Sequence, residues 1–130
     1  MNLNQVTVPS HDLEIAIPFY EKLGLNLIVK ALPHYARFEC PDGESTFSLH
    51  QVDQINPNND IWVYFEVDQL DQKVAELINL GIQFDEMPED KSWLWREARL
   101  KDPDGNQLIL YYAGENRKNP PWRVMVMSNE

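Results

Sequence analysis

The sequence predicts an α+β fold in which two βαβββ units form a curved mixed sheet around a cleft. Three observations carry that expectation. The order strand, helix and three strands can be read twice, over residues 3–53 and again over 60–113. The two helix ends share wording, E-K-L-G-L-N-L-I at Glu21–Ile28 against I-N-L-G-I-Q-F at Ile78–Phe84, the mark of an internal repeat. Finally, Arg99–Tyr112 sets D-P-D-G-N between two alternating runs. There Pro103 presets a turn corner, Gly105 can take positive φ, and the Asp and Asn side chains bond back to the turn, as a hairpin requires. Residues 1–113 read as one domain and 114–130 as a C-terminal arm.

In the first unit Gln5–Val8 alternates as a strand that Pro9 ends. Ser10 or His11-Asp12 opens a helix, with Asp12 near its positive end. Ile15, Ile17, Phe19, Tyr20 and Leu23 give it apolar residues, Gly24 terminates it, and Pro18 inside it predicts a kink. Strands follow at Leu25–Val29, Tyr35–Cys40 and Thr46–Val52, the last two joined by a turn at Pro41–Glu44.

Gln54–Asp60, rich in Asn, is a linker. Ile61–Val67 is then a strand and Leu70–Leu80 a helix with a stripe of Leu70, Val74, Leu77 and Ile78, closed by Gly81. Ile82–Phe84 reads as a short strand and the Pro- and Asp-rich Glu86–Lys91 as a connection to the hairpin. In the arm, Pro120-Pro121 is stiff and Trp122 offers an apolar anchor against the domain or a partner subunit.

At 130 residues the chain can bury a core without staples. Its one cysteine, Cys40, excludes an internal disulfide and a cysteine zinc site, and its strand position suits a buried thiol. No apolar run approaches the ~20 residues that cross a bilayer. The N-terminal residues lack a signal-peptide pattern. A cytoplasmic protein is expected. The net charge of −10 disfavours nucleic acid and anionic membranes and favours cationic ligands, although such a surface also serves solubility alone.

Sorting the strands by face separates two sets. Val6, Val8, Ala36, Phe38, Phe47, Leu49, Val63, Phe65, Val67, Leu108 and Leu110 form a core face. The opposite face carries Gln5, Thr7, Tyr35, Arg37, Glu39, Ser48 and His50 in the first unit. In the second it carries Trp62, Tyr64, Glu66, Trp95, Glu97, Arg99, Ile109 and Tyr111. Aromatics mixed with a few charges suit a cleft for a flat or amphipathic ligand, a subunit interface, or both.

These elements resemble the vicinal oxygen chelate superfamily, which includes glyoxalase I, extradiol dioxygenases, fosfomycin resistance proteins and bleomycin resistance proteins. The resembling residues are Q-V-T-V at Gln5–Val8 with Asp12, F-Y-E-K-L-G-L at Phe19–Leu25, F-E-V-D at Phe65–Asp68, and D-P-D-G-N followed by L-I-L. The resemblance implies that the family's metal positions fall on Gln5, Ser48, Trp62 and Ile109. Of these only Gln5 could coordinate, whereas divalent ions want several oxygen, nitrogen or sulfur donors. No cofactor is therefore expected. The nearer resemblance is to the metal-free bleomycin-resistance-like branch, through Trp62-Val63 and R-E-A-R-L-K-D-P at Arg96–Pro103. It implies an acidic homodimer that sequesters a small, aromatic or cationic molecule in a Trp-lined cleft. Trp62 and Trp95 would stack on that molecule while Glu97, Glu66 or Glu39 faced its charge. The chain departs from that branch in its Pro-rich arm and in Arg37 and Arg99. The alternative is a glyoxalase-like lyase or isomerase. It would use a divalent metal held by Gln5 and His50 with help from Glu97 and Glu66, or Glu97 alone as general base.

Overall fold

The computed structural model describes residues 1–125. Its elements run β1 (Gln5–Ser10), α1 (Leu13–Leu23), β2 (Asn26–Ala31), β3 (Tyr35–Glu39) and β4 (Thr46–Gln51), then β5 (Trp62–Glu66), α2 (Leu70–Asn79), β6 (Glu86–Asp90), β7 (Arg96–Lys101) and β8 (Gln107–Tyr112). A short 3₁₀ turn at Gly114–Arg117 follows. Each unit builds one four-stranded mixed sheet, ordered β1-β4-β3-β2 and β5-β8-β7-β6. The first strand of each unit pairs parallel with the last, and the other neighbours pair antiparallel. The α+β architecture of two βαβββ units is thus the observed one.

Both helices follow from their sequence. Asp12 caps α1 by accepting from the Glu14 amide at 3.0 Å, and Gly24 ends it at φ 106°. Leu13, Ala16, Ile17, Tyr20 and Leu23 form its buried stripe. Pro18 does not break the helix, which runs through it unbroken; its missing donor removes a single backbone bond. In α2 the buried stripe is Leu70, Val74 and Leu77, while Ile78 is exposed.

Two differences from the sequence reading concern prolines at sheet edges. Pro9 lies inside β1, opposite His50, instead of ending it. The last short strand is Glu86–Asp90, including Pro88, and Ile82–Phe84 is irregular. Strands β1 and β6 are both edge strands, where a missing N–H and exposed charges are tolerated and guard against edge pairing. Trp122 is more than half exposed, so it does not anchor the arm on its own domain. The arm's last five residues lie outside those described.

One continuous core unites the units, drawing on Val8, Ala36, Phe38, Phe47 and Leu49 from the first sheet and Val63, Ala98, Leu100, Leu108 and Leu110 from the second. Tyr20 packs on Phe47 at 4.7 Å between ring centres, and Phe47 meets Phe65 at 5.6 Å. The D-P-D-G-N turn ties the units further. Buried Asp102 accepts from the Tyr20 hydroxyl (2.6 Å), the Asp104 and Asn106 amides (both 2.9 Å) and the Asn106 side chain (2.8 Å). Asn106 also donates to the Pro9 carbonyl at 2.8 Å, and the His11 amide donates to Asp104 at 2.7 Å. Burial pushes the Asp102 carboxyl up, against the lowering effect of those bonds. Burial, then the Asp102 charge, pushes the Tyr20 phenol up strongly, so it stays a donor.

Candidate functional site

Because both sheets turn their apolar faces to the shared core, the opposite faces are left for function. In the first unit that face is a hydrogen-bonded polar network. The Gln5 amide donates to Ser48 at 2.7 Å, Tyr35 and Ser48 share a 2.6 Å hydrogen bond, and Arg37 Nε donates to the Tyr35 hydroxyl at 2.9 Å. Ser48 is fully buried beneath them. Its hydrogen bond, with Arg37 assisting, holds the Tyr35 phenol below its ordinary range despite a little burial. His50 lies one strand step from Ser48 on the same face and is exposed.

In the second unit the same face is aromatic. Register places Ile109 between Tyr64 and Arg99, and Tyr111 between Glu66 and Glu97. Trp95 stacks on Tyr111 at 4.7 Å and 22°, while Tyr64 meets both edge-on at 5.9 and 5.5 Å. The Trp95 indole donates to the Asn116 carbonyl, and Glu66 accepts from the Ala113 and Gly114 amides, so the start of the arm frames this cluster. The Arg99 guanidinium lies 4.7 Å above the Trp62 ring, which is half exposed. Ile109 and Tyr111 are buried, and Glu97 is 1% exposed. Burial, and after it the charge of Glu97, raises the Tyr64 phenol, so the carboxylate is felt across the aromatic face.

Every expected residue of the second unit therefore converges on one face: Trp62, Tyr64, Trp95, Glu97, Arg99, Ile109 and Tyr111. Gln5, Arg37, Ser48 and His50 share another. Among the described residues no hydrogen bond, ion pair or ring contact joins the two sets. Two residues escaped the sequence reading. Trp93 donates its indole N–H to Glu97 at 2.7 Å, and Glu86 lies 3.0 Å from Arg99 Nε. A signal for Trp93 was present, because Trp93, Trp95, Glu97 and Arg99 occupy every second position.

A groove of about 790 Å³ opens where the units meet. Leu23, Cys40, Lys73 and Arg117 line it together with Tyr64, Glu66 and Tyr111, so it runs along one end of the aromatic face. Burial and the neighbouring Asp42 push the Cys40 thiol up, away from the reactive thiolate.

The positions that the resemblance implied for a divalent ion do not fit one here. The Gln5 side chain is engaged by Ser48, Thr7 and Thr46, Trp62 carries Arg99 on its ring, and Ile109 is apolar. Among the described residues no group of three or more His, Cys, Asp or Glu side chains is placed to hold a metal. No helix among them is long and apolar enough to cross a membrane.

Paired βαβββ units with open, chemically distinct sheet faces define a class of protein whose sites vary widely on one scaffold. The chain belongs to the Glyoxalase/Bleomycin resistance protein/Dioxygenase superfamily, whose model matches residues 2–110. It is similar, at 29% identity over 115 residues, to a probable trivalent organoarsenical cleaving enzyme of Bacillus subtilis (strain 168), covering 80% of this chain and 75% of that protein. Among solved structures it resembles a glyoxalase/bleomycin resistance protein/dioxygenase from Nocardioides, with TM-score 0.76, 22% identity, and 96% and 90% of the two chains covered. It also resembles a bleomycin-binding protein complexed with bleomycin, with TM-score 0.71, 22% identity, and 86% and 98% covered. At those identities the structural likenesses establish the fold alone.

Proposed function

We propose that this chain is a metal-free small-molecule-binding protein that holds an aromatic or cationic ligand against the Trp62–Tyr64–Trp95–Tyr111 face. One observation carries the reading: a cluster of three aromatic rings, Tyr64, Trp95 and Tyr111, lies beside a carboxylate, Glu97, that is almost wholly buried. Such a face offers stacking together with a charged group, the means of holding a flat or cationic molecule. The likeness to a bleomycin-binding protein supports the same class of role. We propose further that the functional unit is a homodimer. The polar face of one copy would complete a cleft over the aromatic face of the other, since within a chain the two faces stay apart. We propose a reducing cytoplasm as its location, which a single free cysteine suits.

The test is a tryptophan-fluorescence titration with bleomycin and a panel of flat cations, paired with light scattering for oligomeric state and elemental analysis after loading with nickel, zinc and manganese. Saturable quenching, a dimer and near-zero metal are expected. Absence of any fluorescence change across the panel, with close to one tightly held ion per chain, would overturn the reading. That outcome would favour the second one, a lyase or isomerase, whose support is the Bacillus subtilis relative described as a cleaving enzyme. In that case Glu97 is the base to examine first.

A further inference from the structure

Glu97 is the buried carboxylate of the aromatic face, and its two oxygens are treated differently. Oε2 accepts the Trp93 indole N–H at 2.7 Å, whereas Oε1 is buried without a hydrogen-bond partner. The nearest cation does not fill the gap, because Arg99 Nη2 stays 3.9 Å from Oε1. Arg99 pairs instead with Glu86, its Nε 3.0 Å from that carboxylate but without hydrogen-bond geometry, and its guanidinium lies over Trp62. A buried acceptor left unmade is expensive, so its persistence needs a reason.

Trp93 itself is held lightly. Its ring is 41% exposed and sits on the turn between β6 and β7. The next residue, Leu94, has φ 68°, the one left-handed non-glycine residue among those described. That conformation is disfavoured for a branched side chain and tends to persist where function requires it. The indole is thus brought onto Glu97 by a strained turn, without the burial that fixes a core tryptophan.

Resting on the binding role proposed above, we propose that Trp93 is a lid that occupies Glu97 in place of a ligand. The ligand group it stands in for is a planar fork of two N–H donors, such as an amidinium or a 2-aminoheterocycle. Opening the lid frees Oε2 beside the unpartnered Oε1. A carboxylate with both oxygens free takes two parallel N–H bonds from such a fork, the strong bidentate geometry. Tyr64, Trp95 and Tyr111 then supply the flat surface beside it. A lid that competes with the ligand lowers apparent affinity by the fraction of closed molecules.

The experiment uses three probes on the full chain: benzamidinium, which carries the fork; phenyltrimethylammonium, with the same ring and charge but a tetrahedral head and no N–H; and neutral indole. Binding is read by ligand-observed NMR and calorimetry for wild type, Trp93→Phe and Glu97→Gln, with thermal unfolding to verify folding. Benzamidinium should bind wild type about tenfold tighter than phenyltrimethylammonium. Trp93→Phe keeps the ring but removes the competing N–H, and should tighten benzamidinium by about three- to tenfold with phenyltrimethylammonium unchanged. Glu97→Gln should erase the preference between the two cations. Equal binding of the cations to wild type, or unchanged or weaker benzamidinium binding in Trp93→Phe, overturns the lid. If Glu97→Gln fails to fold, the Trp93→Phe result decides alone. Indole binding without a benzamidinium preference sinks the lid and leaves the aromatic site standing; failure of all three probes sinks both.

Discussion

The two units share one topology and differ most at two equivalent places, the outer sheet face and the turn before the last strand. In the first unit the turn at Pro41–Ser45 is exposed and the face is a polar network around Ser48. In the second the corresponding turn is buried through Asp102 and Asn106, and the face is aromatic. The second turn has become a strut between the units, through Tyr20, Pro9 and His11, while the first remained a loop. On one repeated topology, then, the second unit presents the aromatic face and its turn also holds the pair together.

The largest expected effect breaks the strut. Asp102→Ala leaves the Tyr20 hydroxyl and the Asn106 and Asp104 donors without their acceptor. It should destabilise the fold by on the order of 4 kcal/mol in denaturant unfolding. Asp42→Ala in the equivalent exposed turn should stay within about 0.5 kcal/mol. Equal losses from the two substitutions would show that the turns do the same work.

The next effect separates the faces. Trp62→Ala removes a half-exposed ring beneath Arg99, so bleomycin or a flat cation should bind about 1–3 kcal/mol more weakly with folding little changed. Ser48→Ala should do the reverse, lowering stability by about 1 kcal/mol because it removes a buried hydroxyl shared by Gln5 and Tyr35, with a smaller effect on binding. If both variants move only stability, the aromatic face is not the binding face.

This contrast was half legible in the sequence. Alternation assigned Trp62, Tyr64, Trp95, Glu97 and Tyr111 to one face, because a half-buried strand must alternate whatever its partners are. The strut was not legible: D-P-D-G-N announces a turn through local chemistry, but only tertiary contact shows that Asp102 receives a hydroxyl from Tyr20, 82 residues away. Pro9 and the charged Glu86–Asp90 misled for one reason, that features which disqualify a central strand are what protect an edge strand. Trp93 shares the two-residue spacing of Trp95, Glu97 and Arg99, but only the structure shows that it sits on a turn, beside Leu94 at φ 68°, and donates to Glu97.

The smallest effect tests whether the second unit's charges obey the same division between surface and interior. Asp71 is exposed and its hydrogen bonds to Arg96, at 2.9 and 3.0 Å, hold its carboxyl below the ordinary range. A depressed folded-state value means that this contribution is present above the unfolded value and is lost as pH falls through the folded one. Asp102 has the opposite sign, raised first by burial. Its contribution is greatest below the unfolded value and is lost as pH rises through the folded one. In thermal unfolding from pH 7 down through the carboxylate range, Asp71→Asn should lie slightly below wild type at neutral pH and converge with it on acidification. Salt should shrink the neutral-pH difference, since the pair is screened by solvent. A gap that persists below the carboxylate range would mean that Asp71 acts by shape instead of charge, and the exposed rim of the second unit would then belong with its interior.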